Sequence, residues 1–276
     1  MALQTVFALA CQKMKGWKSD FAFYLLQIMA IFSLLFYVGM LISYVHGLLL
    51  FDSPEVARLT GSNYQGSFLA FVIANLCLTV HRLFYTLLPF RSQVILTATV
   101  EKICITFISL FYVAYVAITL TPLACVEFCP AHFFFFFRRA PLLLFVARLN
   151  ELSNYAIGIV NVTAYTIMFT TLFIRGSLTF RRNSEIRMTV QAAIVSACEL
   201  VFFLYWQYGP SANDYWELPE FWQHTLDGYS MLIYYDVLIL PYMIFNQNVK
   251  KEIRNLFCKP KYTSPLVCSL QLSSKK

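Results

Sequence analysis

The apolar residues of this chain come in blocks of about 20, the length an α-helix needs to cross the hydrocarbon of a bilayer. Clusters of charge and turn residues separate the blocks. Composition agrees: 59% of residues are hydrophobic, 17% aromatic and only 13% charged, against about 25% charged in a soluble domain. The expected fold is all-α, a polytopic transmembrane helix bundle forming one domain over residues 1–257.

Six full spans are expected, at about 21–50, 66–87, 102–124, 154–174, 188–206 and 229–245. Met1–Ala10 is apolar but too short to cross alone, and it lacks the basic start of a signal peptide. Residues 258–276 are expected to form a disordered cytoplasmic tail.

The net charge of +7 carries no nucleic-acid signal, because its distribution follows the spans. Lys13, Lys15, Lys18, Arg82, Arg91, Lys102, Arg175, Arg181, Arg182, Arg187, Lys250, Lys251, Arg254, Lys259, Lys261, Lys275 and Lys276 fall in connectors on one side. Only Arg58, Arg138, Arg139 and Arg148 fall on the other. The positive-inside rule makes the first side cytoplasmic. The loops around 51–65, 125–153 and 207–228 are then external, and they carry Asp52, Glu55, Glu127, Glu151, Asp214, Glu217, Glu220 and Asp227.

The last span ends Leu240-Pro241-Tyr242-Met243-Ile244 and runs straight into Phe245-Asn246-Gln247-Asn248-Val249-Lys250-Lys251-Glu252-Ile253-Arg254-Asn255-Leu256-Phe257. Val249, Ile253, Leu256 and Phe257 fall at helical spacing, with Lys250, Lys251 and Arg254 facing away, as in a helix lying along the inner membrane surface. Pro241 deletes a backbone hydrogen bond and is expected to kink the span.

A span, a late proline and an amphipathic helix in this order resemble the seventh helix and helix 8 of G-protein-coupled receptors. The FNxxVxxEIR form looks most like the nematode serpentine chemoreceptors (classes x, t and v). Two further segments carry that resemblance. Val80-His81-Arg82-Leu83-Phe84-Tyr85, with Pro89 seven residues after the arginine, resembles the inner end of their third helix, usually N-R-[FY] followed by proline. Ser184-Glu185-Ile186-Arg187-Met188-Thr189-Val190-Gln191-Ala192 resembles the start of their sixth. The resemblance covers the chain from about Lys13 and implies a GPCR-like bundle with a partial first helix at Ala2–Leu9. His81 departs from the family pattern, as does the lack of an asparagine before Pro241.

What the resemblance implies is a chemosensory receptor for olfaction or related sensory perception. It would bind an external small-molecule ligand and activate a heterotrimeric G protein. It would sit in the multi-pass plasma membrane, including the ciliary membrane of a sensory neuron, with a cytoplasmic C-terminus and receptor oligomers as further partners. By that match Arg82, with His81 beside it, Arg181, Arg182, Arg187, Lys250 and Lys251 face the G protein. A guanidinium at the membrane edge can swap partners as helices move; Arg82 also reads as an anchor that snorkels to the headgroups.

Two carboxylates, Glu199 and Asp236, lie within spans, where each must face the bundle interior or water. With Asn75, Trp206 and Tyr235 they are candidate pocket residues; they also read as hydrogen-bonded packing groups, with Asn75, Gln27, Asn161 and Thr163 as partners. The external stretch from Cys125 to Ser153 holds Phe133–Phe137, Arg138-Arg139 and Leu142–Val146; split by charge, it is too short to span and should lie at the interface or fold as a lid. The receptor disulfide implied by the resemblance has no partner, since residues 47–66 contain no cysteine. A local Cys125–Cys129 bridge and two free thiols both remain open. Cys258, beside Lys259 and Lys261, fits a palmitoylation site.

The sequence contains no Walker loop, HExxH, CxxC or GxSxG motif, and its four histidines stand apart, so neither an enzyme, a cofactor nor a metal is expected. Two other readings stand beside the receptor. One is a transporter or channel using Glu199 and Asp236, although the halves show no repeat. The other is a truncated, non-signalling receptor product.

Overall fold

The computed structural model describes residues 1–13, 21–49, 53–88, 97–130, 133–174, 183–215 and 220–257, with side chains at 98, 183–190, 192, 210–215, 220, 221 and 224 excepted. Its helices are α1 (Ala2–Lys13), α2 (Phe21–Leu48), α3 (Pro54–Leu87), α4 (Ala98–Thr119), α5 (Leu143–Tyr155), α6 (Val162–Ile174), α7 (Asn183–Tyr215), α8 (Glu220–Phe245) and α9 (Gln247–Phe257). A π-helical turn, Ala156–Asn161, joins α5 to α6, and an antiparallel hairpin pairs β1 (Val126–Cys129) with β2 (Phe134–Phe137).

Five helical stretches are long and apolar enough to cross a membrane: Phe21–Leu48, Pro54–Leu87, Thr99–Thr119, Leu143–Ile174 and Thr225–Phe245. The expected span at 188–206 falls within α7, whose described apolar stretch is the shorter Ala193–Gly209. The count of six full-length spans is thus not met among the described residues.

Burial follows the same logic. On α4, Ile103, Phe107, Leu110 and Val113 are each more than half exposed. An apolar stripe of that kind at helical spacing would be a liability in water and is the natural outer face of a helix in lipid. The core lies on α3, whose Phe68, Ala70, Phe71, Ala74 and Leu78 are almost fully buried. α2, α4, α6 and β1 pack around it, α7 packs on α8, and α1 sits against α2, α8 and α9.

Local chemistry sets several boundaries. Pro54 opens α3, where its missing N–H costs nothing. Thr97 Oγ1 accepts from Val100 N at 3.5 Å to cap α4. Asn246 Oδ1 accepts from the amides of Asn248 (3.0 Å) and Val249 (3.3 Å), so the residue after the last span caps the amphipathic helix. On α9 Val249 is buried and Lys250, Lys251 and Arg254 are exposed, as the spacing predicts; Phe257, expected on the apolar face, is 72% exposed.

The stretch from Cys125 to Ser153 contains two elements that the sequence reading did not define. Phe134–Phe137 forms one strand of a β-hairpin, with Val126 opposite Phe137 and Phe128 opposite Phe135, a short insertion in an otherwise helical bundle. Leu143–Val146 opens α5, which continues through the π turn into α6. Charge does not break that helix because Arg148 and Glu151 pair one turn apart at 2.6 Å.

Two glycines permit the closest approaches. A Cβ at Gly61 would run into the Val126 carbonyl, so the hairpin's close approach to α3 at this point requires a glycine. A Cβ at Gly158, in the π turn, would run into the Phe203 ring of α7.

Candidate functional site

Three groups of residues stack along the bundle. At the hairpin end, a cavity of about 210 Å³ is lined by Met40 and Tyr44 of α2, Tyr64 of α3, Phe133, Phe134 and Phe135, Asn150 and Asn154 of α5, Trp206 of α7, and Asp227, Gly228 and Met231 of α8. Half of these lining residues are aromatic. Tyr64 and Phe135 stack with centroids 4.0 Å apart, Tyr44 and Phe133 at 5.9 Å. Trp206 Nε1 donates to Ser230 Oγ at 2.9 Å, and Gln65 Nε2 donates to Asn150 Oδ1 at 2.8 Å.

Glu127 ties the hairpin over this cavity. Its Oε1 takes Arg138 Nη1 at 3.2 Å and the Cys125 thiol at 3.1 Å, and lies 3.9 Å from Arg58 Nε. Arg58 Nη2 also donates to the carbonyls of Leu120 and Thr121, both at 3.1 Å, where α4 ends. A cation on the last carbonyls of a helix is favoured by the helix dipole. Cys125 and Cys129 carry free thiols, not a disulfide. Burial, and then the hydrogen bond to Glu127, push the Cys125 thiol above its ordinary range.

About two helical turns inward from Trp206 lies a buried polar cluster. Glu199 Oε1 accepts from Asn75 Nδ2 of α3 and from Asn161 Nδ2 of the π turn, the latter at 3.0 Å. Glu199 and Asn161 have no exposed surface and Asn75 only 2%. Glu199 Oε2 and Asn161 Oδ1 have no hydrogen-bond partner among the described residues. Rings connect cluster and cavity: Tyr234 lies 5.0 Å from Trp206 and 5.3 Å from Phe202, and Tyr235 lies 4.7 Å from Phe71.

The third group lies at the other end of α3. The Arg82 guanidinium stands over the Tyr242 ring, 5.0 Å from its centroid. Tyr165 of α6 and Glu199 are within electrostatic reach of it, and Gln191 of α7 reaches Tyr242. His81 is not part of that group. It is buried, edge-on to Phe21 at 5.3 Å and tilted against Tyr85 at 4.8 Å.

The expected pocket residues therefore separate. Trp206 lines the cavity, Asn75 and Glu199 form the buried cluster, and Tyr235 is fully buried among rings. Asp236 lies elsewhere, accepting from Gln4 Nε2 of α1 at 3.1 Å, while the same amide donates to Tyr235 O at 3.0 Å. Pro241 stands inside a continuous helix, one residue before Tyr242. Lys250 and Lys251 are exposed on α9. Arg181, Arg182 and Cys258 lie outside the described residues, as does the side chain of Arg187. Sequence reasoning did not single out Gln4, Tyr165, Asn150 or Asn154, and it treated Gln191 only as part of the Ser184–Ala192 segment and Tyr242 only as part of the Pro241 segment. Each is an ordinary residue in its own helix and acquires meaning only from what packs across from it.

Among the described residues no three His, Cys, Asp or Glu side chains converge as a metal site. No protein-family model matches the chain, and no curated protein matches it.

Proposed function

We propose that the chain is a G-protein-coupled chemosensory receptor that takes a small external ligand at the hairpin end and activates a heterotrimeric G protein at the Arg82 end. One observation carries this reading. α8 lines the cavity through Asp227, Gly228 and Met231 and meets Arg82 through Tyr242. Pro241 lies between the two ends of that helix and removes a backbone hydrogen bond. The inner turn of α8 is then freer to move than the outer turns, and the residue that moves first is the one beneath Arg82.

In this reading six spans cross the membrane, counting α7, and α9 lies on the inner surface as helix 8. The charge bias supports that orientation: the hairpin end falls in the arginine-poor loops and α9 in the basic tail. A ligand that tightens the cavity against α8 shifts the balance between two placements of Tyr242, and a conformational change needs that differential contact. Basic residues at the inner ends, including Lys250 and Lys251, complete the face offered to the G protein.

The transporter reading asks Glu199 and Asp236 to share one path. Glu199 bonds Asn75 and Asn161 in the bundle centre, whereas Asp236 bonds Gln4 at the α1 side. That separation weighs toward the receptor.

The test is guanine-nucleotide exchange on a panel of Gα subunits with the full chain in membranes. Arg82→Ala should lower exchange to the level of empty membranes at unchanged surface expression. Exchange that is indifferent to Arg82, with ion or solute flux abolished by Asp236→Asn, would replace the receptor by a transporter.

A further inference from the structure

We propose that the cavity at the hairpin end takes a small uncharged ligand whose polar group only accepts hydrogen bonds, a carbonyl oxygen on an apolar body, received by the amides of Asn150 and Asn154 and the hydroxyls of Tyr44 and Tyr64; this rests on the receptor reading of the same cavity. Three observations converge. The first is the hydrogen-bonding capacity of the wall. Gln65 Nε2 donates to Asn150 Oδ1 at 2.8 Å, which leaves NH2 as the open end of the Asn150 amide. One turn along α5, Asn154 Oδ1 is buried, so the end of that amide lining the cavity is again NH2. The hydroxyls of Tyr44 and Tyr64 belong to the same lining. None of these four donors has a hydrogen-bond partner among the described residues, and none is an atom sealed from the cavity. A ligand that displaced water from them and accepted nothing would leave them unpaired.

The second observation is charge. Among the described lining residues there is no lysine or arginine. Asp227 is exposed and already accepts from Tyr205 Oη at 3.2 Å. An ammonium would bring only donors to a wall of open donors. A carboxylate would accept, but it would meet Asp227 with no lining cation to offset the repulsion. A carbonyl oxygen has two lone pairs, carries no hydrogen of its own and needs no counter-ion.

The third is the rest of the space. The volume of about 210 Å³, walled by rings together with Met40 and Met231, suits one ring or a short chain packed on apolar and polarizable groups. Trp206 Nε1 is already satisfied by Ser230 Oγ, so that part of the wall asks for contact alone.

The full chain in nanodiscs of neutral lipid would be dialysed at neutral pH against labelled acetophenone and labelled 4-methylphenol, with benzoate and 1-phenylethylammonium as charged probes. Empty nanodiscs give the background. The two neutral probes are each one ring with one polar group and partition alike into apolar phases, but the phenol brings a hydrogen that needs an acceptor. Acetophenone should bind saturably and at least about fivefold tighter than 4-methylphenol, a margin of about one net hydrogen bond, with both ions weaker than the ketone. Asn154→Leu and Tyr64→Phe keep the volume and remove one donor each. Each should narrow the ratio about twofold or more, and the combined variant should abolish it. Gly228→Leu, whose Cβ would start 3.0 Å from Tyr44 Oη at the cavity wall, should block all binding.

Binding of the phenol as tight as the ketone would overturn the inference, as would either ion binding more tightly than the ketone. So would a ketone-to-phenol ratio unchanged in the combined variant, or the absence of saturable acetophenone binding below about 10 mM, weaker than any affinity worth the name of recognition. Because the probes are compared on the unaltered protein, a misfolded variant does not protect the proposal. A cavity that prefers the phenol, and loses it in Gly228→Leu, sinks the accepting ligand alone. Failure of the receptor reading shows separately, as nucleotide exchange indifferent to Arg82.

Discussion

Arg82 and Tyr242 are far apart in sequence and meet at one end of the bundle, with the guanidinium carbon 5.0 Å from the ring centroid. The contact ties α3 to α8 just past Pro241. A cation over a ring is worth about 0.5–2 kcal/mol according to how far water is excluded, enough to bias a two-state helix end without locking it. Tyr242→Phe keeps the ring and should keep basal nucleotide exchange within about twofold, whereas Tyr242→Ala removes that interaction and should change it by about fivefold or more. Exchange assays on membranes with matched surface expression decide this; equal behaviour of the two variants would show that the ring face is not what matters.

Glu199 should tolerate loss of charge but not loss of its oxygens. Its Oε1 receives two amide donors in a buried setting. Glu199→Gln retains an acceptor and should unfold within about 1 kcal/mol of the unaltered protein, whereas Glu199→Leu leaves both amides unpaired at about 1–3 kcal/mol each. Thermal unfolding in detergent is the readout. If the two variants proved equally stable, the cluster would contribute nothing to holding α3, the π turn and α7 together.

Gly158 should accept no side chain while Phe203 is present. A Cβ there would run into the Phe203 ring, and overpacking of this kind costs about 1–3 kcal/mol. Gly158→Ala should therefore lower the unfolding midpoint, and Phe203→Leu should recover part of the loss in the double variant. Additive effects in that double-mutant cycle would mean the two residues do not touch.

Glu127 should govern the reactivity of Cys125. The thiolate is the reactive form, and both burial and the Glu127 hydrogen bond hold the thiol protonated. Alkylation of Cys125 by an impermeant maleimide should be slow at neutral pH and accelerate only above the ordinary thiol range, about 8.5. Glu127→Gln removes the neighbouring negative charge and should move that acceleration to lower pH. Peptide mapping separates Cys125 from the half-buried Cys129; a rate profile unchanged by the substitution would contradict the contact.

Spans were legible because hydrocarbon imposes length and apolarity on every helix that enters it. The start of Phe21–Leu48 and the end of the α8 span at Phe245 were read to the residue, while the start of α8 lies well before the expected 229. Asn75 and Asn161 were legible only as two of four candidate partners for two carboxylates, and nothing local assigned them to Glu199 and not to Asp236. The hairpin was not. A run of five phenylalanines has neither the period of a strand nor that of a helix, and only Gly61 and Glu127 (distant in sequence) make room and a tether for it. Leu142–Val146 was read as part of a stretch too short to span because Arg138-Arg139 splits it, whereas the helix starts only after those arginines, at Leu143, and runs on past the Arg148–Glu151 surface pair. Gln4 and Tyr242 were silent because one polar residue in a short apolar segment, or one tyrosine among seventeen, carries no local signal of its partner.

The account depends above all on which side of the membrane each end of the bundle faces. An epitope inserted at position 131, between the paired strands, and a second at the C-terminus would be stained on intact and then on permeabilised cells. The account predicts that the hairpin epitope is stained on intact cells and the C-terminal epitope only after permeabilisation. A hairpin epitope reached only after permeabilisation, on protein that is at the cell surface, would place the cavity inside the cell and contradict a receptor for external ligands.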